Sequence, residues 1–402
     1  MENVFVFGAE ITPMKGRYFD KTFLGITQDL IAAFCERMGP WFNMSLVDFI
    51  SYAMYNPSFQ NHFIAESFAN MVLGTNNIEC DRVATGGQTG LAAMTRLYDA
   101  IRSGRHQIGL ALGVEKCQDA YDPLSHSTTP MVIDTIAASW LYWLHDKLGF
   151  SAAGSYQFRI NGYKYRYPRD LELRARALMV EEICSHSRNN PKAQRYGEQV
   201  TADWIMDSRP IIGDTRLGEV CVYSEGGAVI GMANHARAKE IASQTGRPLV
   251  RVAGVGHACE STIPGRGPQF QDISEFRSHR IAAERAYDMA GIGPDQVGVI
   301  GHHGAFGGQT LLSFLALKMC QPGHVQDIVY DGLVVGPNPK WVIDPASGLY
   351  GCGHAVGASN IMSANEVYWY MVENEVEWGL VHGTGGDGAV YGGVQIFHLE
   401  AA

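Results

Sequence analysis

Apolar positions along the chain switch repeatedly between two rhythms. Short unbroken apolar runs mark buried strands, and apolar residues three or four apart mark helices. Asn3 to Phe7 is a β-type run ended by Gly8, and Leu46 to Met54 is a second buried segment. Phe23 to Met38 has helical spacing, with Leu24, Leu30, Ile31, Phe34 and Met38 as candidate core residues; Phe63 to Leu73 reads as a second helix. The pattern is sharpest from Asp81 to Glu115. A short polar strand runs into the turn Ala84-Thr85-Gly86-Gly87, and a helix follows with Leu91, Met94, Leu97 and Ile101 on one face. Gln107 to Val114 is then a buried strand. Such a unit presents a turn residue at a helix N-terminus, where unpaired N–H groups and the positive end of the dipole converge. That place suits an activated nucleophile or an oxyanion. The residue read at the tip is Ala84, which has no chemistry of its own.

The texture changes from Asp119 to about Val200. Aromatic and basic residues alternate without a clean period, as in YQFRINGYKYRYPRD, with helices expected over Ile136 to Leu148 and Arg174 to Cys184. This stretch reads as an insertion over the core. Its Tyr/Arg/Lys cluster is either a solvated face or a groove for an acidic ligand such as a nucleotide phosphate. Strand pattern returns at Glu219 to Ala233, followed by a helix from His235 to Ser243. Leu249 then opens a segment, LVRVAGVGHACES, that resembles the N-terminal VFVFGAEIT. An amphipathic helix (Ser278 to Ala290), a strand entering a turn (Val297 to Phe306) and a helix (Leu311 to Met319) come next. Leu349 to Met371 again reads as a glycine turn before an amphipathic helix, and GGDGAVYGGVQI echoes SEGGAVIGMA. The repeated succession predicts an internally duplicated α/β core of mixed sheets packed with helices. The expected division is 1–118 with 201–245 as the first half, 119–200 as the insertion and 246–402 as the second half.

Composition narrows the function. The chain has 402 residues, 46% of them hydrophobic, enough for a duplicated core or two domains. The net charge of −10 argues against nucleic acid as a main partner. Eight cysteines without paired spacing read as reduced thiols of a cytosolic protein, and argue against a zinc site in this chain. The opening MENVFVFGAEITPM lacks a basic n-region and a cleavage site, so it reads as a strand. No apolar run approaches the ~20 residues of a membrane span.

Three histidines lie beside glycine-rich turns: His303 in HHGAF, His354 in GCGHAVGA and His382 in VHGTGG. Any one alone fits a hydrogen-bonded structural histidine. Three at equivalent turn positions point to a general base near neutral pH, or to donors for a carbonyl oxygen. Gly385, Gly386 and Gly388 allow close backbone approach, as an oxyanion hole needs. A metal site is the rival use, but no carboxylate sits at a helpful spacing. GGQTG and GTGG lack the Lys of a Walker motif and the dinucleotide fingerprint. Cys352 is a candidate thiol next to the His354 turn, with a small buried core residue as the plainer account.

These motifs, in this order, resemble the thiolase superfamily, and within it the sterol-carrier-protein-type thiolases. DRVATGGQTGLAAM resembles the nucleophile segment, usually Asn-Arg-Val-Cys-Ala-Ser-Gly or close to it. GHHGAF resembles the His-Asp-Ala/Cys-Phe turn, GCGHAVGAS the Gly-His-Pro-x-Gly-Ala turn with Ala355 for proline, and GLVHGTGGDGAV the C-terminal His-Asn-x-Gly loop. The resemblance implies a duplicated five-layer α-β-α-β-α fold, usually dimeric, with an inserted loop domain. It implies an acyl-CoA substrate, coenzyme A as co-substrate and no tightly bound cofactor. Position 84 would hold the Cys that attacks a 3-oxoacyl-CoA, with its N–H, and the backbone at Thr384, Gly385 and Gly386, forming oxyanion sites. His354 would activate the thiol, His303 would position the thioester oxygen or a water, and His382 would protonate the departing carbanion.

The departures matter. Ala84 cannot form a thioester, Gly86 replaces the usual Ser, and Ala305 stands where some members carry Cys. Either Ala84 freezes an otherwise intact enzyme, or the chain is a natural relative without the nucleophile: a cysteine-less retro-aldolase of acyl-CoAs or a non-catalytic subunit. Retro-aldol relatives would place tyrosines in these turns, and Tyr350 is close enough in sequence to count as a candidate. The resemblance also implies a small zinc-ribbon/OB-fold partner that closes the CoA site. The aromatic-rich insertion would suit a bulky acyl group such as a benzoylsuccinyl-CoA-like thioester.

Overall fold

A computed structural model describes residues 2–60, 62–75, 77–117, 152–261 and 274–400. The helix expected over Ile136 to Leu148 lies outside the described residues. The unbroken apolar runs become strands buried along their whole length, as sheets covered on both faces require. In chain order the first half runs β1 (Val4–Ile11), α1 (Phe23–Met38), β2 (Phe49–Ala53), α2 (Ala65–Leu73), β3 (Glu79–Val83), α3 (Thr89–Arg102) and β4 (Ile108–Glu115). Then come α4 (Ala152–Arg166), α5 (Leu173–Ser185), α6 (Ala202–Asp207), a small hairpin of β5 (Pro210–Ile212) and β6 (Thr215–Arg216), β7 (Gly226–Asn234) and α7 (His235–Thr245). The second half runs β8 (Val250–Cys259), α8 (Arg277–Ala290), β9 (Val299–Gly301), α9 (Gly307–Ala316), α10 (Asp327–Tyr330), β10 (Val342–Ile343), α11 (Ser359–Asn374), β11 (Trp378–Gly385) and β12 (Tyr391–Leu399).

The sheet order exposes the duplication. Ten strands lie in the order β10-β9-β11-β12-β8-β1-β7-β4-β2-β3. Read outward from the centre, β1-β7-β4-β2-β3 and β8-β12-β11-β9-β10 have the same topology. Each makes two antiparallel pairings and then two parallel ones. Within the sheet the halves join where Phe5 and Val6 of β1 face Arg251 and Val250 of β8. The duplicated α/β core read from the sequence is therefore present strand by strand.

Three apolar clusters fill the layers. α1, α2 and α7 cover the outer face of the first half, where Phe34, Ile50, Leu110 and Ile241 pack together. α8 and α9 cover the outer face of the second half, joined by α4 and α5 of the insertion. Between the halves lie α3 and α11, packed on the inward residues of β1, β7, β8 and β11. Leu91, Met94, Leu97 and Ile101 of α3 are fully buried there, each stabilising by roughly 1.5–3 kcal/mol. Gly90 lets the two central helices touch at their N-termini: a Cβ on it would lie 3.0 Å from both Gly357 O and Ile361 N. Both lead-ins are thus brought to one place. Val200, Ala202 and Ile205 pack in the outer cluster with α5, and the chain rejoins the first sheet at Gly226, later than the residue 201 expected. Among the described residues, no helix is long and apolar enough to cross a membrane.

Candidate active site

A cleft with a free volume of about 100 Å³ opens where the two central helices begin. The first half lines it with Tyr55, just past β2, and with Gly86 and Gly87 of the turn before α3. The insertion contributes Ala152, Ser155 and Tyr156 of α4. The second half contributes His303, Ala305 and Phe306 past β9, His354 and Val356 before α11, and Thr384, Gly385, Gly386 and Gly388 at the end of β11. The remaining wall is Val220, Cys221 and Tyr223, a segment that ties these loops together. Cys221 N donates to Ala305 O at 2.9 Å, and His354 N donates to Val222 O at 2.9 Å and to Ser224 Oγ at 3.0 Å.

Two of the three singled-out histidines meet in this cleft. The rings of His303 and His354 lie 5.2 Å apart, edge to face. His354 Nδ1 bonds Ser359 Oγ at 2.8 Å, and burial holds its pKa down at about 4. His303 Nδ1 faces Asn360 Nδ2 at 3.3 Å; burial, then the neighbouring His354, holds its pKa well below the usual imidazole range. Both rings are neutral at pH 7.

The third histidine is elsewhere. His382 is fully buried and does not line the cleft. Its Nε2 bonds His279 Nδ1 at 2.7 Å, and its ring stacks on His302 at 4.7 Å. His279 Nε2 in turn contacts Ala389 O at 3.1 Å and Thr384 Oγ1 at 3.0 Å. Burial holds both His279 and His302 down at about 3. The expected set of three imidazoles facing the cleft is therefore two in the wall and a second, fully interior group behind it. His279 and His302 were not singled out by the sequence. The signal was a histidine on the buried face of α8, and the first of the HH pair. Among the described residues no three His, Cys, Asp or Glu side chains are grouped to hold a metal ion.

The tip of α3 is not Ala84. That residue is exposed just past β3 and does not line the cleft. The helix begins only at Thr89, whose Oγ1 accepts from Thr85 N at 2.9 Å and donates to Gly86 O at 2.6 Å, so the turn is wound tight before it. The residue carried to the cleft is Gly87. A Cβ built there would lie 2.6 Å from Thr384 O and 2.8 Å from His303 Nε2. No space awaits a side chain at the tip; the second half fills it. Thr384, Gly385 and Gly386 do reach the cleft, as expected of oxyanion residues.

Other candidates fall away from the cleft. Tyr350 is buried with its hydroxyl on Thr310 Oγ1 at 2.8 Å. Cys352 is buried, and desolvation pushes its thiol far up. Four basic residues of α4 and α5 are ion-paired: Lys164 with Asp214 at 2.7 Å, Arg176 with Asp214 at 3.2 Å, Arg174 with Asp203 at 2.9 Å and Arg159 with Glu260 at 3.8 Å. Tyr55, Tyr156, Tyr223 and Cys221 do line the cleft, yet nothing in their spacing marked them.

Residues 267–391 match the family described as Thiolase C-terminal domain-like. The chain is 26% identical over 306 residues to the acetyl-CoA acetyltransferase of Methanocaldococcus jannaschii, covering 75% of this chain and 73% of that protein. It is 27% identical over 305 residues to sterol carrier protein 2 of Oryctolagus cuniculus, covering 74% of this chain and 54% of that protein. In three dimensions it is similar to the Ltp2-ChsH2(DUF35) aldolase, with a TM-score of 0.79, 16% identity, and coverage of 99% of this chain and 98% of that one. Fold, duplicated topology and sequence likeness agree: the chain has the thiolase fold and is similar in sequence to thiolases, sterol-carrier-protein-type members among them.

Proposed function

We propose that this protein breaks or makes a C–C bond beside the thioester carbonyl of an acyl-CoA, by acid–base chemistry of His303 and His354 and without a covalent acyl-enzyme. The crowding at Gly87 carries the reading. With backbone oxygen and an imidazole edge at 2.6 and 2.8 Å from any Cβ, the helix tip cannot present a nucleophile. The family motif Cys-Ala-Ser-Gly, placed on the residues at this tip, falls on Gly87-Gln88-Thr89-Gly90. Threonine then stands for serine, glycine for glycine, and glycine for the cysteine. Ala84 needs no explanation as a frozen nucleophile.

In the cleavage direction one imidazole takes the proton of the 3-hydroxyl of a 3-hydroxyacyl thioester. The Cα–Cβ bond breaks, and Cβ keeps its oxygen as an aldehyde or ketone. The electron pair passes into the thioester as an enolate, its oxygen held by the other imidazole and by N–H groups of the glycine turns. The same proton returns to Cα and leaves a shorter acyl-CoA. Atoms balance with no second CoA. The aromatic wall of Tyr55, Tyr156, Tyr223 and Phe306 supports a bulky or aromatic acyl group. The aldolase neighbour's name joins it to a DUF35 protein, and a small partner of that type is part of the proposal.

Thiolase-type acyl transfer is the second reading, favoured by the relatives and by one thiol in the wall, Cys221. Burial pushes that thiol up to about 12, so little thiolate exists at neutral pH. The test incubates the protein, alone and with a DUF35-type partner, with 3-hydroxyacyl-CoAs and with 3-oxoacyl-CoAs plus CoA. Carbonyl release from the hydroxy thioesters without added CoA, and no acyl adduct by intact mass, is the expected result. CoA-dependent cleavage of the oxo thioesters with acyl mass on Cys221 would overturn it.

A further inference from the structure

Asn360 follows Ser359 in the first turn of α11 and is fully buried. Its Nδ2 lies 3.3 Å from the backbone oxygen of His382 and 3.3 Å from His303 Nδ1. A carbonyl oxygen can only accept, so the amide end facing both groups is the NH2. Its second hydrogen then points at His303 Nδ1, which must be the bare, accepting nitrogen. The proton of neutral His303 sits on Nε2, the atom beside Gly87. Turning the amide over would set oxygen against oxygen at His382.

The arrangement has a cost. Asn360 Oδ1 is buried without a partner among the described residues, and a lone buried acceptor costs roughly 1–3 kcal/mol. Packing alone gives no reason to keep an asparagine there. The neighbouring histidine is held differently. His354 Nδ1 rests on the Ser359 hydroxyl, which can donate or accept. That ring can take up and release a proton at its other nitrogen without turning.

From this geometry we infer that Asn360 is a positioning residue: it locks His303 as a fixed N–H donor to a carbonyl or enolate oxygen, and so leaves His354 as the proton-transferring member of the pair. The inference rests on the acid–base reading of the cleft, but its first test does not. ¹⁵N NMR of histidine-labelled wild-type protein, with His303 assigned by its loss in H303Q, reads which ring nitrogen carries the proton. A protonated Nε2 and bare Nδ1 is expected; a proton on Nδ1 overturns the inference with no variant of Asn360 needed. In Asn360→Asp the carboxylate accepts from Nδ1, so the proton moves there, and kcat should fall about 10²-fold, as for loss of one oxyanion donor, with KM little changed. An unmoved tautomer, or unmoved kcat, in a folded N360D protein counts against the inference. If the tautomer moves as stated while no hydroxyacyl thioester is turned over by the wild type, the reaction assignment fails and the role of Asn360 stands.

Discussion

The two halves repeat one topology, yet their equivalent loops are equipped differently. β3 leads into α3 through Gly86, Gly87 and Gln88, a turn without reactive side chains. At the matching place in the second half, β10 leads toward α11 through His354, and the helix opens on Ser359 and Asn360. The loop after β2 brings Tyr55, and the one after β9 brings His303. A duplicated scaffold thus gives glycine backbone and a tyrosine from one copy and the imidazoles from the other. Because the two central helices meet at Gly90, a change in either lead-in is felt in the same cleft. Filling of the Gly87 position by His303 is the result. In this chain a side chain at Gly87 would collide with Thr384 O and with the His303 imidazole that reaches over it.

The sharpest way to break this contrast is at the loaded side. His354→Gln should lower kcat/KM for a hydroxyacyl thioester by about 10²–10⁴-fold, the usual worth of a general base, with circular dichroism unchanged. A loss under tenfold would move the chemistry elsewhere.

Acidification should act next most strongly, and on the second half. His279 and His302 bind their protons near 3 and His354 near 4 in the folded chain, against 6.5 when unfolded. As pH falls through that window the unfolded chain takes up more protons, so stability drops. Glu115 and Glu219 at about 7 and Glu366 at about 8 act oppositely: above 4.5 the folded chain holds their protons more firmly, so stability declines as pH rises there. The two sets offset one another between 4.5 and 6.5. The steep loss in a denaturant series should therefore begin below about pH 4.5, where the raised glutamates no longer offset the histidines and the lowered carboxylates Asp214 and Glu284 add to the loss. kcat/KM should fall through about 4, where His354 takes its proton.

The bare side predicts a smaller effect. Gly87→Cys should not create a thiolase. It should destabilise by roughly 1–3 kcal/mol, as overpacking does, read by urea unfolding, with no acyl adduct. A stable variant that is acylated by an oxoacyl-CoA would mean that the Gly87 position is open after all. Least of all, Tyr55→Phe, the first-half counterpart of His303, should cost less than about tenfold in kcat/KM, the worth of one neutral hydrogen bond.

Much of the fold was legible because burial imposes periodicity. The helix at Phe23–Met38 has the bounds its spacing gave, and the repeated glycine-turn segments announced the duplication that the strand order displays. His303, His354 and the glycines after Thr384 were legible because tight turns need glycine and reactive groups sit beside them. The tip of α3 was misplaced because a motif fixes its neighbourhood, whereas the residue that faces the cleft depends on where the helix winds up. Here Thr89 closes the turn later than the β3 boundary suggested.

Taken by itself, the order of residues determined a duplicated α/β chain with its glycine turns and histidines at equivalent loops, since each of these leaves a local mark in spacing or backbone freedom. Only the tertiary structure decided that His382 turns inward to His279, that Asn360 reaches His303, and that Gly87 has no space above it. Those are contacts between elements far apart in sequence, made when two sheets close on a pair of helices, and no local pattern encodes the side-chain geometry of such a meeting.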